Sequence, residues 1–139
     1  MRIRRVSLAS AREQLIALHA ECFPLDAEPP WTRGDWWICY DDDKRPIAFA
    51  GGYVHEPDRC YYLVRAGVSD AARGGGLQRR LIRARVRRAA KLGCKGVYTY
   101  TTLDNRHSSN NLIRCGFRLF RPARKWGGRH SLYWWRSLS

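Results

Sequence analysis

Arg73-Gly74-Gly75-Gly76 joins a run of strand-forming residues, Tyr61 to Val68, to a long helical pattern that begins at Leu77. Three consecutive glycines allow a tight turn with no Cβ in the way. A helix starting there aims its first N–H groups and the positive end of its dipole into that turn. The chemistry this favours is the seating of a phosphate. No Gly-Lys-Ser/Thr follows, which excludes a Walker loop. No acidic residue stands about 20 positions on, which excludes the dinucleotide-binding fingerprint.

A second stretch, Asn105-Arg-His-Ser-Ser-Asn-Asn-Leu-Ile-Arg-Cys-Gly-Phe117, has an Asn able to open a short helix and a Gly-Phe that closes it. One helix and one strand separate the two stretches. Together they resemble the GCN5-related N-acetyltransferases. That family's acyl-CoA signature, R/Q-x-x-G-x-G/A at a helix start, falls on Arg73, Gly76 and Gln78. Gln78 is a departure, since the family prefers Gly or Ala there. In the downstream segment Asn105, Ser108, Gly116 and Phe117 match. The resemblance is good over residues 46 to 121 and looser elsewhere.

The resemblance implies an α/β (α+β) fold, with a mixed, mostly antiparallel central sheet of about seven strands flanked by helices. It implies an acyl-CoA-dependent N-acyltransferase. Acetyl from acetyl-CoA would pass to a primary amine by direct attack in a ternary complex. The turn and helix start (Arg73, Gly74, Gly75, Gly76, Leu77, Gln78 and Arg79) would hold the pyrophosphate. Backbone groups near Ala66, Gly67 and Val68 would bind the pantetheine arm and polarise the thioester carbonyl, and Asn105 would bond the same arm. Asn105 also suits a helix N-cap.

The proton-transfer groups are less determined. Where the family often has a Tyr, seven residues after that Asn, this chain has Leu112, which cannot donate. Ser108 is near enough to bond the thioester region or order a water, or else it caps the helix. The Tyr61–Val68 strand has no carboxylate, so the candidate bases are Glu56 or His55, acting directly or through water. His19 and Glu21 on the first helix are further candidates. No spacing of His, Cys, Asp or Glu suggests a metal site. The family's acceptor pocket borders the loop Pro24 to Trp31, where Asp26 and Glu28 would favour a cationic amine, on a small molecule or a peptide. Trp31, Trp36, Trp37, Trp134 and Trp135 either stack on that amine or fill a core or dimer interface.

The elements that must position these groups follow from periodicity. Arg2 to Val6 alternates as a strand, and Ser10 with Glu13 suits a capping box for the first helix, up to Phe23-Pro24. Asp35 to Tyr40 and Pro46 to His55 read as a hairpin around the Asp-rich turn at 41–45. Strands at 60–68, 95–102, 117–120 and 132–135 and helices at 77–92 and 108–115 complete the order β-α-β-β-β-α-β-α-β-β. In the 77–92 helix, Leu77, Leu81, Ile82, Val86, Ala89 and Leu92 form the apolar stripe, with Arg79, Arg83, Arg87 and Lys91 on the opposite face.

At 139 residues and 45% hydrophobic content, the chain reads as one globular domain, 1–139. No apolar run nears the roughly 20 residues of a membrane span, and Ser7, Ser10 and Arg12 break any signal-peptide pattern. The five cysteines (22, 39, 60, 94 and 115) include no C-x-x-C pair, as expected of free thiols in a cytoplasmic protein. Charge is lopsided. Residues 1–64 carry 8 Lys/Arg against 10 Asp/Glu, and residues 65–139 carry 18 against 2. That cationic half, with the basic, aromatic stretch Arg118 to Arg129, makes nucleic acid a second partner to weigh. In that reading the chain acts on or binds nucleic acid, with or without catalysis. The β-rich tail ending in Tyr133-Trp-Trp135 is compatible with a homodimer.

Overall fold

A computed structural model of the chain describes residues 1–29, 31 and 33–139. Its strands are β1 (Arg2–Val6), β2 (Asp35–Tyr40), β3 (Pro46–His55), β4 (Cys60–Val68), β5 (Gly96–Thr102), β6 (Arg118–Leu119) and β7 (Ser131–Ser137). Its helices are α1 (Leu8–Cys22), α2 (Leu77–Lys91) and α3 (Arg106–Arg114), with a 3₁₀ turn at Asp70–Ala72. The hydrogen-bonding order is β1-β2-β3-β4-β5-β7-β6. The β4–β5 pair is parallel, whereas β1–β2, β2–β3, β5–β7 and β6–β7 are antiparallel. This is the mostly antiparallel seven-stranded sheet expected from the sequence. No helix among the described residues is long and apolar enough to cross a membrane.

The chain divides into two compact units, Met1–Tyr53 with Val64–Leu81, and Val54–Leu63 with Ile82–Ser139. In the first, α1 buries Ala11, Leu15, Leu18 and His19, the i, i+4, i+7, i+8 face of a helix. They pack with Trp31, Trp36, Ile38 and Phe49. The N-cap is Ser7, not Ser10: Ser7 Oγ accepts from Ser10 N–H at 3.3 Å. The helix therefore starts a turn earlier than the capping box at Ser10 and Glu13 suggests. Phe23 N–H closes its other end on His19 O at 2.8 Å, and Pro24 cannot continue it.

Gly67 on β4 lies against the end of α1. A Cβ there would stand 2.8 Å from Cys22 Cβ and 2.9 Å from a Phe49 ring carbon. The cysteine contact is at the root of a side chain, so the helix itself would have to move. Gly67→Ala is expected to cost about 1–3 kcal/mol, the usual penalty of overpacking. Denaturant unfolding checks it. The cost should shrink in a Cys22→Gly background, the coupling expected of residues in contact.

In the second unit the β4–β5 ladder pairs Tyr61 with Val97 and Tyr62 with Tyr98. Thr99 Oγ1 then donates to Leu63 O at 3.0 Å, and β4 runs on to Val68. The inner face of α2 buries the expected Ile82, Val86 and Ala89, and also Arg85, only 2% exposed. Burial pulls the Arg85 guanidinium down to about 10, against the opposing pull of Tyr61 and Cys115. Gly93 ends α2 at φ +77°, with Cys94 N–H on Ala89 O and Gly93 N–H on Ala90 O, a Schellman motif. Short helix α3 begins at Asn105, whose side chain accepts from Ser108 N–H at 3.1 Å, so it opens before the expected Ser108. Leu112 is core, 4% exposed.

Candidate donor-binding turn and proton-transfer groups

The candidate phosphate seat is built within the first unit. After Val68, Ser69 N–H bonds Ile47 O at 2.9 Å and the chain makes its 3₁₀ turn. Gly74 and Gly76 have φ of +85° and +77°, the left-handed region that strains any other residue. Around Gly74 nothing lies within 4 Å of where a Cβ would stand, so the turn is open on that side. The first intrahelical bond is Arg80 N–H to Gly76 O at 3.2 Å, so α2 opens directly on the turn with its N-terminal, positive end. An Arg79 guanidinium nitrogen stands 3.5 Å from the Cβ position of Gly76. Arg73 folds back instead, onto Val68 O at 3.4 Å and Asp70 at 3.3 Å.

All of Ala66, Gly67, Val68 and Arg73 to Arg79 thus belong to one unit, on consecutive stretches of β4, the turn and α2. Asn105, Ser108, His55 and Glu56 belong to the other. There Asn105 and Ser108 share the α3 cap, while His55 and Glu56 sit at the end of β3 and in the turn after it. His55 Nδ1 lies 3.1 Å from Asp58 Oδ1, at an angle that makes no hydrogen bond, although this nitrogen is shielded from solvent. Asp58 is itself fixed, accepting from Cys60 N–H at 3.0 Å. The His55 ring meets Tyr98 edge-on at 6.4 Å. Glu56 is 75% exposed and pairs with Arg59 at 3.1 Å.

The first unit also assembles a group around an arginine that no local sequence pattern marks. Arg65, on β4 just before Ala66, reaches His19 Nε2 at 3.0 Å and Asp26 Oδ2 at 3.3 Å, and lies over the Phe23 ring at 4.9 Å. Arginine can only donate, so His19 Nε2 accepts and its proton sits on Nδ1. His19 is 1% exposed, ringed by Phe23, Trp31 and Phe49. Burial first, then the Arg65 charge, holds its imidazole below the ordinary value, with Glu28 and Asp26 pulling upward. The folded protein therefore resists protonation that the unfolded chain accepts below about pH 6.5. The His19 contribution to stability is whole above that pH. It is lost as pH falls from there toward the lowered folded value, by up to about 1.4 kcal/mol per pH unit. Denaturant unfolding at stepped pH should show this slope, and His19→Gln, which keeps an acceptor for Arg65, should flatten it.

Other expectations fall differently. Trp31, Trp36, Trp37 and Trp134 are 2–5% exposed and belong to the core, so they form no stacking surface. Large aromatic area is most cheaply hidden from water. Asp26 is held by Arg65, and Glu28 accepts from Trp31 Nε1 at 3.1 Å. The thiols of Cys39, Cys60 and Cys94 are raised by burial, and that of Cys22 is pushed up to about 11, chiefly by burial. Among the described residues no three His, Cys, Asp or Glu side chains gather as a metal site.

Residues 8–117 match the family model described as the acetyltransferase (GNAT) family. No curated protein matches the sequence. Among solved structures, an acetyltransferase from Bacillus subtilis, in complex with CoA, is 16% identical with a TM-score of 0.79 and 99% of both chains covered. The IAA acetyltransferase from Bacillus cereus is 15% identical, with a TM-score of 0.78 over 99% of both chains. A chain of the NatC complex bound to Gag peptide and CoA is 16% identical, with a TM-score of 0.79 over all of both chains. At these identities the likeness is one of fold.

Proposed function

This chain belongs to the GNAT acetyltransferase family, and from that we propose that it is an acyl-CoA-dependent N-acyltransferase, moving acetyl from acetyl-CoA to a primary amine. The observation that carries the reading is the turn at Gly74 to Gly76. Two left-handed glycines deliver the chain into α2, and the turn is open beside Gly74. Backbone N–H groups at a helix start bind anions without a dedicated side chain. That suits a pyrophosphate and tolerates Gln78 in place of a glycine, because the donors are backbone. The Arg79 guanidinium beside Gly76 adds a fixed positive charge.

The reaction makes three demands. The thioester must be held. Its carbonyl oxygen needs donors as negative charge grows on it. The amine must arrive without its extra proton. The β4 backbone from Ala66 to Val68 serves the first two, beyond the ladder that pairs Tyr61 and Tyr62 with β5. Asn105 serves the pantetheine arm alongside its role as the α3 cap. The amine nitrogen attacks the carbonyl carbon, the carbon–sulfur bond breaks, and the nitrogen's proton goes to a base. His55 is the base this reading favours, with Asp58 beside it and Glu56 as the alternative. Burial raises the thiols of Cys22, Cys39, Cys60 and Cys94, which disfavours the thiolate needed for an acyl-cysteine at these four.

Ser108 stands beside Asn105 and is the side chain left to order a water near the leaving sulfur, because Leu112 is buried and cannot donate. A thiolate leaves well enough that no dedicated acid is required. On the acceptor side, Asp26 and Glu28 are acids that suit a small or peptidic amine, and each would have to exchange its present partner, Arg65 or Trp31, to meet one. Calorimetric titration with acetyl-CoA tests the reading. Micromolar binding, followed by release of CoA thiol in the presence of an amine panel, supports it. Absence of donor binding sinks it.

A further inference from the structure

The second unit carries a charge that acyl transfer does not use. Its 15 Lys/Arg face only Glu56, Asp58 and Asp104, and no acid follows Asp104 in the chain. Glu56 pairs with Arg59, and Asp58 lies beside His55. Four of the 15, Arg121, Arg124, Lys125 and Arg129, lie in the loop between β6 and β7, all exposed.

That loop also presents an aromatic platform. Trp126 is 41% exposed and Tyr100 38%. The Trp126 ring centroid lies 4.6 Å from Tyr133, 5.6 Å from Tyr98, 6.1 Å from Tyr62 and 6.3 Å from Tyr100. Trp126 Nε1 donates to Tyr62 Oη at 3.1 Å, and Gly127 N–H to Tyr133 Oη at 3.0 Å. Gly127 allows the loop to lie this close, since a Cβ there would stand 2.9 Å from a Tyr100 ring carbon. The platform is therefore held in place by bonds of its own, with two rings left partly open.

Exposed rings suit two kinds of ligand. A cation would use their faces through cation–π attraction, but a unit with 15 Lys/Arg against three acids opposes it. A polyanion with flat, stackable groups satisfies both features at once. We propose that this face binds single-stranded nucleic acid, with bases stacking on Trp126 and Tyr100 and phosphates meeting Arg121, Arg124, Lys125 and Arg129. The proposal is independent of the acyltransferase reading.

Fluorescence anisotropy with a labelled oligothymidylate tests it, across a series of salt concentrations and with saturating CoA present. The expected result is binding that weakens with salt, at a log–log slope of about −0.7 for each phosphate paired. Arg124→Gln with Lys125→Gln should make that slope shallower by about 1.4. Tyr100→Ala should weaken binding roughly 5- to 150-fold and leave the slope as it was, the signature of a lost stacking contact. Thermal unfolding establishes that each variant is folded. Should Tyr100→Ala fail to fold, the change of slope in the Arg124/Lys125 variant decides. Three outcomes overturn the proposal: no binding at low salt, displacement of the oligonucleotide by CoA, or equal competition by polyglutamate. The second would place the oligonucleotide on the donor seat, and the third would reduce the face to a charge sink.

Discussion

Gly76→Glu is expected to weaken acetyl-CoA binding roughly 5- to 1000-fold relative to Gly76→Gln. The comparison isolates charge. Both variants force a non-glycine residue to φ +77°, at a shared cost of about 1–2 kcal/mol. Both add a side chain of the same size. Only glutamate adds a carboxylate to a turn whose helix dipole and N–H groups favour an anion. A unit charge about 4 Å from a phosphate costs about 1 kcal/mol in bulk water and about 4 kcal/mol near a protein surface, which sets the range. There is a second consequence. The new carboxylate starts from a Cβ position 3.5 Å from an Arg79 nitrogen, so it can pair with that guanidinium. Calorimetry on both variants, with melting temperatures alongside, reads the effect. Equal affinities would mean that no phosphate sits at this turn.

The site's scaffold was more legible in the sequence than its chemistry, and the difference is physical. Glycines at 74 and 76 record a backbone requirement that few other residues meet, so the turn is readable at those positions. Strand and helix order follows from periods of two and 3.6, which burial enforces along whole segments. Arg65 carries no such signal. Its partners His19 and Asp26 lie 46 and 39 residues away in sequence, and nothing local marks the contact. Arg85 was hidden for another reason. It lies four residues after Leu81, on the apolar face, but a reading by residue type counts it with the arginines around it. The tryptophans show the converse. Clustered aromatics look like a binding surface until packing takes them: Trp36 is 2% exposed, whereas Trp126, among arginines and glycines, stays at the surface.

The second large effect concerns the base. His55→Gln is expected to lower kcat by roughly 10²- to 10⁴-fold, the usual range for a positioned proton acceptor. The choice of His55 over Glu56 rests on how firmly each is held. Asp58 is anchored by Cys60 N–H and stands beside His55 Nδ1, while Tyr98 packs against the ring. A carboxylate this close favours the imidazolium that proton abstraction creates through its charge alone, since it makes no hydrogen bond to Nδ1. Glu56 is an exposed turn residue whose pair with Arg59 is of the kind worth little in water. The loss of kcat should come without a matching loss of acetyl-CoA affinity in a direct titration, since His55 is assigned to proton transfer and not to holding the donor. A loss confined to Glu56→Gln would move the base one residue along the chain. Full activity in both variants would remove the β3–β4 turn from the chemistry and leave deprotonation of the amine to water.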